Sequence, residues 1–349
     1  MPRVASLYLP NLPPDRLQRI DRAKSGTRLD REAVNPSFPA FALEGRGFAS
    51  GWNPGARWSR EEEKSPSFRT HGWIAKRQAA TAPLITVHPL GQRMEIAAAC
   101  PPARELGLHA GMPLTKARIL IPNLDVRDAK PDVDAVFLTR LALFAARRWT
   151  PRAALSGSEG LWLDLSGVTH LFGGERRMGE RIVAFCARLG FTARIAVADT
   201  YGAAHALARH GEEAIMLCPT GGTAQAIASL PLSALRIAED LLAPARRLGI
   251  ERVGDILAMP AAPLVRRFGR ELLTRLDQAL GRAAEAFEPI VPADPPHAIL
   301  RLVEPIATAE AIEQVLADLM ATLIRSLEKE GLAARILTLV CLRVDGAEQ

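Results

Sequence analysis

Lysine is scarce in this chain. Of 44 basic residues only six are Lys, which leaves 38 Arg. Tyrosine is rarer still, with two, and aromatics make up 5% of the residues. The four cysteines, Cys100, Cys186, Cys218 and Cys341, lie far apart and form no CxxC pair, which excludes a disulfide framework or a zinc knuckle and predicts reduced thiols. No run of eighteen apolar residues occurs, so no membrane-spanning helix is expected. The first residues contain no apolar segment ending at a small-residue cleavage site, so a cytoplasmic location is expected. Phosphate loops of the GxxxxGK[ST] type, GxGxxG, HExxH and GxSxG are missing from any supporting context, which argues against nucleotide-loop, zinc-peptidase and serine-hydrolase chemistry. What is present is a chain of 349 residues, 48% hydrophobic and 23% charged, long enough for two to four cores. Its formal charge is +6. An excess of Arg favours bidentate phosphate contacts and makes nucleic acid a candidate partner, although a GC-rich coding bias would produce the same excess.

Residues 4–9 are apolar and followed by Pro10, Pro13 and Pro14, which predicts a buried strand that leaves its sheet there. Residues 21–80 show no sustained period of 2 or 3.6 and are expected to form a long surface insertion. Trp52, Trp58 and Trp73 lie in it; packing against a neighbouring domain is the expectation, with docking on a partner or stacking on bases as the alternative. Strands are predicted at 84–87, 94–99, 161–165 and 194–198, and helices at 114–121, 134–149 and 178–189. In the 134–149 helix the apolar stripe is Val136, Leu138, Leu141, Ala142 and Ala145, and Arg147 and Arg148 close it with charges suited to a helix C-terminus. Helices between strands point to an α/β or split βαβ layer. After Pro219 short helices are predicted at 224–229, 234–243, 252–258, 263–268 and 270–280. A linker near 283–296 leads to a strand at 298–303, a long helix with Ile312, Leu316, Leu319 and Leu323 on one face, and a strand at 335–344.

Four ordered motifs carry a family resemblance. The run GMPLTKARILIPNL from Gly111, preceded by AAACPPARELGL from Ala97, is similar to the fingers of the Y-family translesion DNA polymerases, the UmuC/DinB fold. SEGLWLDLS from Ser158 resembles their carboxylate-bearing palm strand. IAVADT from Ile195 resembles the strand and turn before the phosphate lysine, and LGIERVGDIL from Leu248 resembles the thumb. The resemblance implies an α+β right-hand polymerase fold: a palm with a split βαβ sheet from 1–10 and 126–212, fingers from 11–125 with the 21–80 insertion, a helical thumb from 213–284, a linker at 285–297 and a partial little finger from 298–349. Because the chain ends at Gln349 inside that last unit, a truncated copy with an open, association-prone sheet edge is expected.

Nucleotidyl transfer needs two divalent cations about 4 Å apart, held by carboxylates. The resemblance places the first-strand carboxylate at Tyr8, the next acidic position at Pro10, and the palm carboxylate pair at Glu159 and Gly160. The lysine that meets the triphosphate falls on Tyr201. In the fingers one Arg survives as Arg104, while its Tyr neighbour is Pro101. These departures, with LYLPNLPPDRL from Leu7 and LWLDLSGVTHLFGGE from Leu161, resemble the ImuB-type branch of degenerate polymerases. That branch implies no catalytic residue, no cofactor, and a non-catalytic subunit of an inducible mutasome. The implied partners are DNA, the sliding clamp, an error-prone C-family DNA polymerase and a RecA-like ImuA-type protein. The alternative is a weakly active polymerase using Glu159 and Asp164, with weak Mg at Glu159. Asp164 is expected to cap the turn after its strand, Gly173 and Gly174 to form a plain turn, and His205 and His210 to be ordinary surface histidines. The helical stretch 232–282 holds nine Arg against six acids; Arg246, Arg247, Arg252, Arg266, Arg267 and Arg270 lie near Gly turns and are the candidate DNA contacts.

Overall fold

The computed structural model describes residues 2–25, 83–292, 296–334 and 337–341. The three tryptophans of the insertion, nearly all of the insertion itself and parts of the 285–297 linker and the 335–344 strand lie outside the described residues. The chain divides at 291/292 into two compact units.

The first unit is organised by a five-stranded sheet. Its strands are β1 (Val4–Tyr8), β5 (Ala153–Leu155), β6 (Gly160–Asp164), β7 (Arg194–Ala198) and β8 (Ile215–Leu217), in the spatial order β5-β6-β1-β7-β8. All neighbours are antiparallel except the β7/β8 pair. A second sheet pairs β2 (Leu84–Leu90) with β3 (Arg93–Ala99) antiparallel and with β4 (Asp125–Asp128) parallel. Helices α1 (Leu12–Ser25), α2 (Pro101–Glu105), α3 (Leu114–Leu120), α4 (Pro131–Arg148), α5 (Glu175–Arg188) and α6 (Tyr201–His210) connect and cover them. Four more follow: α7 (Thr223–Ala228), α8 (Glu239–Arg247), α9 (Val253–Leu257) and α10 (Ala261–Leu280).

Alternation along β1 divides the core. Ala5, Leu7 and Leu9 face α4 and α5, packing with Leu138, Leu141, Ile182 and Phe185. Val4 faces α6 and the later helices, together with Ala196 and Ala198 of β7. The alanines of α6, Ala203, Ala204, Ala206 and Ala208, are all buried, and their small side chains let this helix lie close on β1 and β7. A third core joins the smaller sheet to α2 and α3 through Ile85, Ile96, Ala103 and Ala117.

Several expectations change here. Val136 is half exposed rather than part of the buried stripe of α4; Leu138, Leu141, Ala142 and Ala145 suffice to bury that helix. The helix expected at 234–243 is broken: a 3-10 turn spans Leu232–Leu235, Arg236 takes a left-handed conformation with φ 61°, and α8 begins only at Glu239. Residues 21–25 belong to α1, not to the insertion; the helix can start at Leu12 because Pro13 and Pro14 sit in its first turn, where no intrahelical N–H is needed.

The second unit holds α11 (Ala309–Glu330). Thr308 Oγ1 caps it by accepting the Ala311 N–H, 3.3 Å, and Gly331 ends it at φ 64°. Neither 298–303 nor 337–341 is a strand. A strand exists only with a ladder partner, and among the described residues neither segment has one. Ile299 and Val303 are accordingly exposed.

Candidate functional site: the Tyr8 end of the palm-like sheet

The pairing of β1 with β6 brings three of the singled-out positions together. Tyr8 is the register partner of Gly160, and the Leu9 N–H donates to the Glu159 carbonyl, 2.8 Å. Gly160 is buried with no room for a side chain: a Cβ there would stand 2.4 Å from the Leu7 carbonyl oxygen. The absence of a carboxylate at 160 is therefore fixed by the backbone of β1 as well as by the residue. Pro10 follows the strand, and beside it Asn11, which is buried, accepts from Arg104 Nη2 at 2.6 Å. The surviving Arg of α2 is thus tied to the chain just beyond β1.

Helix α6 supplies what the sequence did not reveal. Thr200 starts it, its Oγ1 accepting the Ala203 N–H at 3.1 Å and donating to the Ala279 carbonyl at 2.7 Å. Gly202 allows α10 to approach, since a Cβ there would lie 3.0 Å from the Ala279 Cα. In the last turn of α6 Arg209 places its guanidinium 4.5 Å from the centre of the Tyr8 ring. Its Nη2 reaches the Ser156 carbonyl at 3.5 Å, and its Nη1 is buried without a hydrogen-bond partner among the described residues. Burial raises the Glu159 carboxyl above its usual range, and Arg209 opposes the shift. Burial, and then the charge of Glu159, raise the Tyr8 phenol.

His205 corrects the expectation of a surface histidine. It is half-buried, its Nδ1 has no partner among the described residues, and burial together with Arg209 and Arg236 pushes it down to about 2. His210, one turn on, is exposed. The Ser6 hydroxyl and the Trp162 indole N–H are likewise buried without a partner in the described residues.

Tyr201 does not join Tyr8. It opens α6, eight residues before Arg209 and so about 12 Å away along the axis. It belongs to an aromatic stack in which its ring lies 5.4 Å from Trp162 and 4.8 Å from Phe287, with Arg236 over Trp162 and Arg152 over Phe287. Burial raises its phenol to about 12. The same neighbourhood holds residues 285–290 against the sheet: Glu285 pairs with Arg236 at 2.5 Å, and the Ile290 N–H donates to the Ala153 carbonyl at 2.7 Å.

Asp164 behaves as a turn residue. Its Oδ1 accepts the Ser166 N–H at 3.0 Å and its Oδ2 pairs with Arg152 at 3.2 Å. It stands at the far end of β6, about 16 Å from Glu159 at 3.3 Å per residue, so the two carboxylates do not share an ion. Gly173 and Gly174 form a turn with φ 81° and 105° leading into α5. No group of three or more His, Cys, Asp or Glu side chains that could hold a metal occurs among the described residues. A pair of divalent cations requires several converging oxygens, and the groups at the Tyr8 end do not fit it.

The six arginines near the later turns are all exposed. Arg246 and Arg247 close α8, and Arg246 pairs with Glu239; Arg252 precedes α9; Arg266, Arg267 and Arg270 flank the break in α10 at Gly269, whose φ is 79°. The backbone N–H groups of Glu251 and Arg252, which a Gly hairpin could turn to a phosphate, both donate to Asp255 Oδ2, at 2.9 and 2.8 Å. The side chains, not the hairpin backbone, are the groups left to meet an anion.

Residues 72–209 match the family model described as the impB/mucB/samB family. This chain carries a Y-family domain. Protein ImuB of Caulobacter vibrioides is 42% identical over 241 residues, covering 69% of this chain and 52% of that protein. DNA polymerase IV of Dehalococcoides mccartyi is 27% identical over 181 residues, 51% of this chain and 46% of that one. The chain spans about half the length of the curated relatives it matches. Among solved structures, an insertion ternary complex of Dbh DNA polymerase and DinB from Sulfolobus solfataricus each share its fold, with a TM-score of 0.54 at 15% identity over 99% of this chain and 86% of theirs. The fold is the α+β polymerase fold, and the likeness to ImuB is the one the sequence motifs indicate.

Proposed function

We propose that the chain is a non-catalytic Y-family polymerase-like subunit of a DNA-damage-induced mutasome. It binds DNA and bridges the sliding clamp, a RecA-like ImuA-type protein and an error-prone C-family polymerase in translesion synthesis, in the cytoplasm. The observation that carries the non-catalytic half is Tyr8 standing opposite Gly160 with Arg209 beside Glu159. Losing the carboxylates removes the electrostatic stabilisation on which phosphoryl transfer depends. The partners rest on the likeness to Protein ImuB. DNA binding is supported by the exposed arginines around α8, α9 and α10. No helix among the described residues is long and apolar enough to cross a membrane.

Primer extension tests the first half. No incorporation is expected with Mg²⁺ or Mn²⁺, and incorporation that disappears in Glu159→Ala overturns the proposal in favour of a residual polymerase. For the second half, binding to duplex DNA is expected to be independent of sequence and to weaken steeply with salt. Each of Arg247→Ala, Arg266→Ala and Arg267→Ala that removes a phosphate contact lowers the salt slope by about one. Arg246→Ala has a smaller effect because Glu239 already holds that side chain. An affinity unchanged between low and moderate salt would show that these arginines do not track phosphates.

A further inference from the structure

The Tyr8 end of the sheet holds a cation of its own. Arg209 comes from the last turn of α6, where the carbonyl end of the helix favours positive charge. Its guanidinium faces the Tyr8 ring at 4.5 Å, within the range of a cation–π contact, and its Nη2 reaches the Ser156 carbonyl. The same Nη2 lies 3.4 Å from where a Cβ on Gly160 would be, so the guanidinium reaches over the position where the resemblance puts the palm carboxylate. Glu159, half-buried, is the neighbouring anion. A guanidinium keeps its charge under burial that would neutralise other side chains. It offers planar donors where a divalent ion would need several oxygens, and Glu159 supplies only one carboxylate.

We infer that Arg209 is a resident cation standing in for the divalent metal of an active palm: it supplies the positive charge beside Glu159 from inside the protein and closes this end of the sheet to metal ions. The inference rests on reading the palm as a degenerate polymerase site, yet it is separable from that reading. Loss of activity needs only missing carboxylates, whereas a resident cation makes Arg209 and Glu159 a coupled pair that an ion from solution can reconstitute.

The test is ion rescue of thermal stability in the 349-residue chain, with sodium chloride matching ionic strength. Arg209→Ala is expected to melt about 4 °C below the unaltered protein. Low-millimolar guanidinium chloride is expected to recover about half of that loss, by mass action on the folded state, and to do nothing for the unaltered protein. The rescue must vanish in Arg209→Ala with Glu159→Gln. Melting of Arg209→Ala unmoved by guanidinium, or moved equally with and without Glu159, overturns the inference. Should Arg209→Ala fail to fold, Arg209→Lys decides: a Lys variant that folds and melts near the unaltered protein supports a role for the charge, and one that also fails shows that only shape matters. Manganese binding followed by electron paramagnetic resonance separates the two proposals. A chain inert in primer extension that binds Mn²⁺ saturably, with binding lost in Glu159→Gln, sinks the resident cation and keeps the non-catalytic subunit. A chain that extends primers while Arg209→Ala shows Glu159-dependent rescue does the reverse.

Discussion

At the Val4 end of the five-stranded sheet, Arg3 donates through Nε and Nη2 to both carboxylate oxygens of Glu175, at 2.7 and 2.8 Å, and through Nη1 to Asp199 at 2.7 Å. Its Nη2 also reaches the Cys218 carbonyl, and the second oxygen of Asp199 accepts the Gly221 N–H at 2.7 Å. At the Tyr8 end, about 14 Å along the same strand, Arg209 Nη1 and His205 Nδ1 are buried with no such partner among the described residues. One end is a closed polar network whose members satisfy one another, as a structural network should. The other carries unsatisfied groups and a glycine whose position admits no side chain, which is where a fold departs from its own rules for a reason outside stability. Asp199 makes the contrast concrete: burial would raise it, but the Gly221 N–H, Arg3 and Thr223 outweigh burial and hold it below its usual range. Glu159 goes the other way, above its range, with Arg209 only opposing.

Removing the hub of the closed network gives the largest expected effect. Arg3→Ala leaves two partly buried carboxylates without their cation and should cost about 4 kcal/mol in denaturant unfolding. A cost under about 1 kcal/mol would mean that the Val4 end is no more cohesive than an exposed ion pair. Gly160→Ala probes the Tyr8 end from the backbone. With a Cβ 2.4 Å from the Leu7 carbonyl oxygen, β1 and β6 must part, at about 3 kcal/mol. If Gly160→Ala is neutral, the crowding that keeps a side chain out of this position does not exist, and the two ends differ less than described.

How much of this was legible in the sequence depends on how far each feature reaches. Local patterns were enough for β7, for α5 and for α11, where periodicity within the segment decides the element. The short edge strands β4, β5 and β8, of three or four residues, have too few positions to show an alternation, and they exist because β2, β6 and β7 offer a neighbour. The converse failure is 298–303, apolar enough for a strand but without a ladder among the described residues. At the site, the positions Tyr8, Glu159 and Gly160 were readable from motifs because they lie on or beside paired strands. Arg209 was not, and His205 reads as a surface histidine, since α6 has too few large apolar residues to mark plainly which of its faces meets β1. A signal that could have singled out Arg209 was the four alanines that precede it, Ala203, Ala204, Ala206 and Ala208, too small to keep a long side chain on that helix away from the sheet.

The smallest expected effect sharpens the comparison by asking whether misfit at the Tyr8 end extends past the site. Asp15 of α1 is buried, and its Oδ2 accepts the Thr192 N–H at 2.7 Å, two residues before Arg194, the β7 partner of Tyr8. Burial raises its carboxyl to about 6, against 3.8 for an ordinary Asp, and the hydrogen bonds from Thr192 only partly offset this. An acid raised on folding holds its proton more tightly in the folded chain. Stability therefore falls as pH rises from about 4 to about 6, and the whole cost stands above that window. Two pKa units correspond to nearly 3 kcal/mol, and allowing for relaxation about 2 kcal/mol should be recoverable. Asp15→Asn keeps an oxygen for Thr192 and removes the titration, so it should stabilise the protein by about that amount at pH 7.5 and by nothing at pH 4. Denaturant midpoints across pH 4 to 8 check it. A variant whose advantage is the same at both ends of the range would show that the carboxyl is not held above its usual pKa, and that the misfit at this end does not reach Asp15.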